Sequence, residues 1–295
     1  MNKTYGDIKT LLVQSGTEPN EAKAIALLLM EKVCGMSTTD VLRGDGGTTC
    51  TPQEQQALDM AALVAQGMPV QYVLGEADFC GMTFRVAPGV LIPRPETEEL
   101  VAWVVEQLGV RSQEPLARRS QLGVKILDVG TGSGCIAVAL AKQLAGAEVE
   151  AWDISEEALK IAVGNAERQG VSVNFQHVDV LKPQTSNLIP QTSYDCIVSN
   201  PPYICKEEAE EMERHVLEHE PSLALFVPND DPLLFYRRIG ELGLQLLKAE
   251  GMLFFEINRR FGKETVELLQ GMGYIGVELR QDVYGNDRMV KAIKP

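Results

Sequence analysis

The sequence predicts an α/β protein in which a mainly parallel β-sheet follows a small helical region. From Val124 onward, short apolar runs typical of buried strands alternate with longer segments of helical pattern. Such alternation is typical of parallel sheets that carry helices on both faces. Residues 1–75 are predicted to form only helices. We therefore expect a helical domain at 1–75, a hairpin and linker at 76–95, and an α/β domain at 96–295.

The N-terminal helices have clear boundary signals. One helix is predicted over 22–33, where Gly35 ends it. Thr51 and Glu54 form a capping box with Pro52 at the first helical position, which opens another helix. Nothing in this region offers a set of catalytic side chains. A small bundle that only stabilises the protein is therefore one interpretation.

A hairpin and an extended segment are predicted next. Strands at 77–79 and 83–86 flank a short turn. Pro93 and Pro95 then keep the chain extended until a helix begins near Glu96.

Besides the helix near Glu96, the α/β domain is predicted to contain five strands, further helices and a closing hairpin. The predicted strands cover 124–129, 149–152, 171–177, 195–199 and 252–257. The predicted helices cover 155–169, 231–248 and 262–272. Two further runs look like an antiparallel hairpin at the sheet edge, at 274–280 and 288–293. Ligands bind beyond the carboxyl ends of the strands in such sheets. The residues expected to gather there are Gly130, Asp153, Asp179 and Asn200.

The motif Asn200-Pro201-Pro202-Tyr203 directly follows a predicted buried strand. Each proline fixes φ at about −65° and has no N–H, so the strand end is stiff. An Asn side-chain oxygen beside a backbone carbonyl gives two acceptors, which can bind both hydrogens of a planar NH2 group on an amide or an adenine. A Pro-Pro turn that merely closes a strand remains the alternative for this motif alone.

A glycine-rich turn follows the first strand of the domain and precedes an apolar helix. It consists of Gly130, Thr131, Gly132, Ser133 and Gly134. Such a turn lets the backbone approach a ligand closely. A G-x-G-x-x-G dinucleotide motif is not matched, because the third glycine arrives one residue early and Cys135 follows it. A pyrophosphate ligand is therefore less favoured.

Asp153 ends the second predicted strand of the domain. A carboxylate there can accept hydrogen bonds from both hydroxyls of a ribose, each contributing about 1.5–3 kcal/mol. Taken alone, Asp153 equally suits a cap for the helix that begins at Ser155. Its order and spacing after the glycine-rich turn favour the ribose.

Together these motifs resemble the class I methyltransferases that use S-adenosylmethionine. Three more segments extend the similarity to the peptide chain release factor glutamine methyltransferases, the protein-(glutamine-N5) family: Leu91–Glu98, Glu220–Leu225 and Asp282–Arg288. The resemblance covers nearly the whole chain. It implies a seven-stranded sheet with a reversed last strand, and methylation of the glutamine in the Gly-Gly-Gln loop of release factors. The product of the cofactor would be S-adenosylhomocysteine, and the helical domain would also grip the protein substrate.

The resemblance also implies roles for the motif residues. The cofactor would contact the turn 130–134, Asp153 at its ribose, Asp179 at its adenine amino group, Val180 and Asn200. Val180 stands where the family usually has an aromatic residue, so adenine stacking at this position is in doubt.

The substrate amide would lie against the Asn-Pro-Pro-Tyr motif. We expect Asn200 and Pro201 to accept its two N–H bonds, with Pro202 beside them and Tyr203 packed on the flat amide. The catalytic residues would be Asn200, Pro201 and Tyr203. Because the same motif is shared with adenine and cytosine N-methyltransferases, an adenine N6 methyltransferase acting on DNA or RNA is the alternative.

Composition disfavours a nucleic-acid substrate. The chain has 41 acidic and 27 basic residues and a formal net charge of −14. Nucleic-acid binding depends on Lys and Arg that neutralise phosphates. An acidic enzyme would instead attract a basic protein segment, in agreement with a release factor as the partner.

Targeting and metal signals are absent from the sequence. The six cysteines include no C-x-x-C pair, so neither a disulfide framework nor a zinc site is expected. No early apolar run reaches the roughly 20 residues of a membrane span, and no signal-peptide pattern is found. We therefore expect a cytoplasmic protein without a membrane partner.

Overall fold

The computed structural model describes residues 2–44, 50–111, 123–182, 193–212 and 214–295. Its helices are α1 (Lys3–Gln14), α2 (Pro19–Cys34), α3 (Thr38–Arg43), α4 (Pro52–Ala65), α5 (Val70–Leu74), α6 (Pro95–Arg111), α7 (Cys135–Gln143), α8 (Glu156–Gln169), α9 (Arg214–His219), α10 (Ser222–Leu225), α11 (Leu234–Leu246) and α12 (Gly262–Gly271). Its strands are β1 (Glu76–Phe79), β2 (Met82–Arg85), β3 (Lys125–Val129), β4 (Glu148–Asp153), β5 (Val173–His177), β6 (Tyr194–Ser199), β7 (Ile204–Cys205), β8 (Phe226–Val227), β9 (Leu247–Glu256), β10 (Ile275–Gln281) and β11 (Asp287–Ile293).

The chain forms two compact units. The first comprises Met1–Glu76 and Glu213–His219, and the second comprises Ala77–Met212 and Glu220–Pro295. These units differ from the domains predicted from the sequence in two respects. The segment with α9 belongs to the first unit, although the sequence assigned it to the α/β domain. The hairpin and linker after Glu76 are part of the second unit.

The first unit is a helical bundle with caps where the sequence predicts them. Thr51 accepts a hydrogen bond from the Glu54 N–H, and the Glu54 side chain accepts one from the Thr51 N–H, which opens α4. Gly35 ends α2 in the left-handed region at φ 66°. The core includes fully buried side chains of α1 and α2, among them Ile8, Leu12, Leu29 and Met30, and smaller ones of α3 and α4.

The second unit contains the predicted seven-stranded sheet. Its strand order is β10-β11-β9-β6-β3-β4-β5. β11 runs antiparallel to both of its neighbours, β9 and β10. The pairs β9–β6, β6–β3, β3–β4 and β4–β5 are parallel. The mainly parallel sheet with a reversed last strand is thus confirmed.

Both faces of this sheet are covered by helices. Phe254 and Phe255 are consecutive in β9, so their side chains point to opposite faces. Phe254 packs edge to face against Trp103 of α6, with ring centroids 5.4 Å apart. Phe255 packs in the same way against Tyr236 of α11, at 5.3 Å. Two apolar clusters result, one on each face.

Strand register decides which residues meet at the carboxyl edge of the sheet. Val129, the last residue of β3, pairs with Trp152 of β4 on one side and with Ser199 of β6 on the other. The residues that follow these three positions are Gly130, Asp153 and Asn200. The parallel pairing therefore brings the three sequence motifs together.

Gly134 packs α7 closely against α8. It is the N-cap of α7 with φ 80°, and a Cβ at this position would lie 2.9 Å from the Cβ of Ala162. Real Cβ atoms do not approach this closely without rearrangement. The third glycine of the turn is therefore required for helix packing.

We expect Gly134→Ala to destabilise the second unit more than Gly132→Ala does. Both substitutions place alanine in the left-handed region, at φ 80° and 55°, which costs about 1–2 kcal/mol. Only Gly134→Ala adds overpacking, worth about 1–3 kcal/mol, because no atom lies within 4 Å of a Cβ at Gly132. Urea unfolding followed by tryptophan fluorescence measures this, since both tryptophans, Trp103 and Trp152, lie in the second unit. Equal losses in the two variants would contradict the packing role.

Candidate active site

A cavity of about 320 Å³ lies at the carboxyl edge of the sheet. Its volume is in the range of small-molecule sites, roughly 300–1,000 Å³. Eight sequence-predicted site residues line it: Gly130, Gly132, Asp153, Asp179, Val180, Asn200, Pro201 and Pro202. Four others do not line it: Thr131, Ser133, Gly134 and Tyr203. The structure thus brings most, but not all, of the predicted site residues together.

The glycine-rich turn presents bare backbone to the cavity. Gly130 and Gly132 have φ of 75° and 55°, and no protein atom lies within 4 Å of where a Cβ would be. The N–H groups of Gly130 and Thr131 donate to the carbonyl of Trp152 at 2.8 and 3.0 Å. The turn is therefore fastened to β4 while its cavity side stays open.

Thr131 and Ser133 support the turn from the protein interior. The Thr131 hydroxyl donates to Asp128 at 2.6 Å, and the Ser133 carbonyl accepts from the Asn165 side chain at 2.9 Å. Both residues are almost fully buried. Direct cofactor contact by these two residues, and by Gly134, stays a prediction, since the structure shows them in supporting positions.

Asp128 is a buried acid that the sequence reasoning did not single out. Its Oδ2 accepts from the Thr131 hydroxyl and from the Ala137 N–H at 3.2 Å. Its Oδ1 has no hydrogen-bond partner within the described part of the chain. Burial raises the pKa of Asp128 to about 7. The sequence signal that could have identified Asp128 is its position as an acidic residue inside the apolar run of β3.

Asp153 links the turn, β4 and α8. Its Oδ2 accepts from the Gly132 N–H and its Oδ1 from the Ser155 N–H, both at 2.8 Å. Ser155 itself caps α8 by accepting from the Ala158 N–H. Since each carboxylate oxygen has a second lone pair, Asp153 can serve the fold and still accept ribose hydroxyls. Burial raises its pKa above the ordinary value, against the hydrogen bonds that lower it.

Asp179 and Val180 lie on the loop after β5. Asp179 accepts from the Leu181 N–H at 3.0 Å and forms an ion pair with Lys182 at 3.2 Å. The Val180 carbonyl accepts from Arg238 at 2.7 Å. An aromatic residue that the sequence reasoning missed, Phe235 of α11, also lines the cavity. The apolar lining of the cavity therefore includes an aromatic ring from α11 as well as Val180.

Hydrogen bonds within the protein orient the Asn200 side chain. Its Nδ2 donates to the Thr97 hydroxyl at 3.2 Å, and Thr97 donates to Glu256 at 2.6 Å. The Tyr203 hydroxyl also donates to Glu256, at 3.1 Å. Tyr203 is thus held through its hydroxyl, and packing on the flat substrate amide stays a prediction. Thr97 and Glu256 were missed as site residues, although Thr97 lies within the quoted Leu91–Glu98 segment.

An ion pair between the partly exposed Arg94 and the buried Glu220 fixes the proline-rich segment before α6. Glu220 is 5% exposed and accepts from Arg94 at 2.5 Å and from the Ile92 N–H at 3.2 Å. Leu91, three residues before Arg94, and Pro221, which follows Glu220, both line the cavity. The Arg94–Glu220 pair therefore orders two parts of the cavity lining.

Known structures share this fold. The 16S rRNA N2 methyltransferase of T. thermophilus, in complex with AdoMet and guanosine, is 20% identical with a TM-score of 0.52, covering 75% of this chain and 50% of that chain. A human methyltransferase 10 domain containing protein is 20% identical with a TM-score of 0.50, covering 80% and 98%. The methyltransferase small domain family matches residues 114–220. The fold is therefore the class I methyltransferase fold.

Relatives along the whole chain define the family. The release factor glutamine methyltransferase of Bacteroides thetaiotaomicron is 45% identical over 292 residues, 99% of each chain. That of Streptococcus pneumoniae is 35% identical over 288 residues, 97% of this chain and 95% of the relative. The PrmC N-terminal domain family matches residues 8–75. The chain belongs to the release factor glutamine methyltransferase family, and the adenine N6 alternative is not favoured. None of the described helices has the length and apolar character needed to cross a membrane.

We expect Asp128→Asn to flatten the pH dependence of stability. The pKa of Asp128 rises from 3.8 to about 7 on folding, so the native state keeps a proton that the unfolded state has lost. The associated stability is complete below pH 3.8, is lost as the pH rises to about 7, and amounts to at most about 4 kcal/mol. Asn keeps an acceptor oxygen but does not ionise in this range.

Urea unfolding at several pH values, followed by tryptophan fluorescence, measures this difference. Asp153 and Glu256, whose pKa values burial also raises, are present in both proteins and cancel in the comparison. Parallel curves for the wild type and Asp128→Asn between pH 4 and 7 would contradict the assignment.

Proposed function

We propose that the protein methylates the side-chain amide nitrogen of the glutamine in the Gly-Gly-Gln loop of peptide chain release factors. The observation that carries this proposal is the orientation of Asn200. Its Nδ2 is engaged by Thr97, which leaves Oδ1 as the part of the amide available to a substrate in the cavity. The full-length relatives, which are release factor glutamine methyltransferases, support the same substrate.

The substrate glutamine amide presents two N–H donors in one plane. Asn200 Oδ1 and the Pro201 carbonyl would accept one each. The amide nitrogen is a poor nucleophile because its lone pair is delocalised into the carbonyl. As the nitrogen gains positive charge in the transition state, the two oxygens would stabilise it electrostatically. Pro201 and Pro202 keep this part of the backbone stiff, so the acceptors need little reorganisation.

The cavity lining fits S-adenosylmethionine. Gly130 and Gly132 would contact its methionyl part, Asp153 its ribose and Asp179 its adenine amino group, with Val180 and Phe235 as apolar contacts; all six line the same cavity. When bound, the cofactor supplies an activated methyl group on a sulfonium. The protein's task is then alignment, and well-oriented reactants reach effective molarities of about 10⁵–10⁸ M. The excess proton of the amide can leave after transfer, so a strong base is not required.

The release factor is also the partner that the charge of the chain favours. A net charge of −14 attracts basic protein surfaces and raises encounter rates at low salt. We propose that the helical unit, which includes the matched residues 8–75, grips the substrate protein. Nucleic acid is not a substrate in this proposal, and the site of action is the cytoplasm, where translation ends.

Transfer of label from S-adenosylmethionine tests the proposal. We expect the wild-type protein to label an intact release factor at the Gly-Gly-Gln glutamine, located by mass spectrometry. A factor with that glutamine replaced by alanine should receive no label, and neither should DNA or RNA. Equal labelling of the substituted factor, or labelling of nucleic acid alone, would refute the substrate assignment.

Asn200→Ala should lower kcat on release factor by about 10²–10³-fold, by analogy with the loss of one preorganised group that stabilises transition-state charge. Cofactor affinity, measured by calorimetry, should stay within about threefold, since the other cofactor contacts remain. Asn174→Ala is the matched control, because Asn174 is exposed on β5. Turnover near the wild-type rate in Asn200→Ala would remove Asn200 from the reaction.

A further inference from the structure

A buried threonine, Thr97, connects the partly buried Asn200 to the buried carboxylate of Glu256. Asn200 donates to Thr97 at 3.2 Å, and Thr97 donates to Glu256 at 2.6 Å. Thr97 is 2% exposed and Glu256 is 1% exposed. We call Asn200, Thr97 and Glu256 the acceptor relay. Asn200 follows β6, Thr97 lies in α6 and Glu256 ends β9. The relay therefore joins three elements next to the cavity.

The directions of the hydrogen bonds in the relay follow from simple chemistry. An ionised carboxylate only accepts hydrogen bonds, and a threonine hydroxyl has one proton to donate. Because the Thr97 hydroxyl donates its hydrogen bond to Glu256, only the lone pairs of the Thr97 oxygen face Asn200. Only the NH2 end of the Asn200 amide can then bind Thr97. The oxygen end must point away from Thr97.

We infer that Thr97 is a positioning residue for methyl transfer: oriented by the Glu256 carboxylate, it makes Asn200 present Oδ1, and not Nδ2, to the substrate amide. This inference rests on the proposed function. A flipped Asn200 amide would place NH2 donors against the NH2 of the substrate glutamine. The substrate N–H would then lose its acceptor and face another donor. One hydrogen bond would be lost, and the desolvated NH2 groups would be left without acceptors.

The surroundings of Glu256 favour its role as an acceptor. Tyr203 donates to Oε1 at 3.1 Å, so both carboxylate oxygens receive a hydroxyl proton. Arg288, held by Asp282 at 3.2 Å, lowers the pKa of Glu256 by its positive charge. Burial, with a smaller contribution from Glu96, raises the pKa of Glu256 above its ordinary value. The two hydroxyl donors and the arginine therefore offset part of the cost of burying the charge.

Thr97→Val and Thr97→Ser test the inference together. Valine keeps the shape of threonine without the hydroxyl, whereas serine keeps the hydroxyl without the methyl group. We expect Thr97→Val to lower kcat on release factor about 10–100-fold and Thr97→Ser to stay within about threefold of the wild type, with unchanged cofactor affinity in both. Thr265→Val is the matched control, because Thr265 is fully buried and its hydroxyl donates at 2.7 Å to Phe261, outside the relay. It should lose stability but keep kcat.

The Asn200 side-chain NH2 resonance gives a readout that does not depend on turnover. Its NMR signal is assigned by its loss in Asn200→Asp. It should shift in Thr97→Val and remain in place in Thr265→Val. An unshifted signal in Thr97→Val, or kcat losses equal in Thr97→Val and Thr97→Ser, would overturn the inference. Failure of the wild type to label the release factor would instead refute the proposed function, so the two outcomes are distinct.

Discussion

Parallel pairing of β3 with both β4 and β6 is the constraint on which the site depends. It sets the last residues of three strands side by side, so that a flexible glycine turn, a carboxylate and a stiff Asn-Pro-Pro segment emerge at one edge. None of these motifs forms a pocket alone. A register slip of one residue in β6 would turn Asn200 to the opposite face of the sheet. The chemistry of the site is therefore a consequence of backbone hydrogen bonding in the sheet.

Buried and partly buried carboxylates hold the pieces of the site in place. Asp128 supports the glycine-rich turn, Asp153 fastens it to the next strand, Glu220 fixes the proline-rich segment and Glu256 ends the acceptor relay. A buried acid is costly unless its lone pairs are used. Each of these acids accepts at least two hydrogen bonds from other residues. These hydrogen bonds offset part of the cost of burial.

The sequence was sufficient for those features that local chemistry determines. Strand–helix alternation predicted the sheet, and the motif ends predicted Gly130, Asp153 and Asn200 at its edge. The relay was not predictable, because Thr97 and Glu256 lie far apart in the chain and meet only through tertiary packing. The sequence predicted that β9 begins at residue 252, whereas it begins at Leu247. The reason is local: Lys248, Ala249 and Glu250 are exposed and do not follow a buried-strand pattern. The role of Gly134 against Ala162 likewise depends on a helix that only the fold brings near.

The position of β11 has a consequence for how the protein is made. This strand lies between β9 and β10, although both precede it in the chain. During synthesis the sheet therefore contains a gap until residues 287–293 leave the ribosome. Until then β9 carries an unpaired edge, which invites association with other nascent chains. Insertion of β11 between two strands that precede it in the chain completes the sheet and covers this edge.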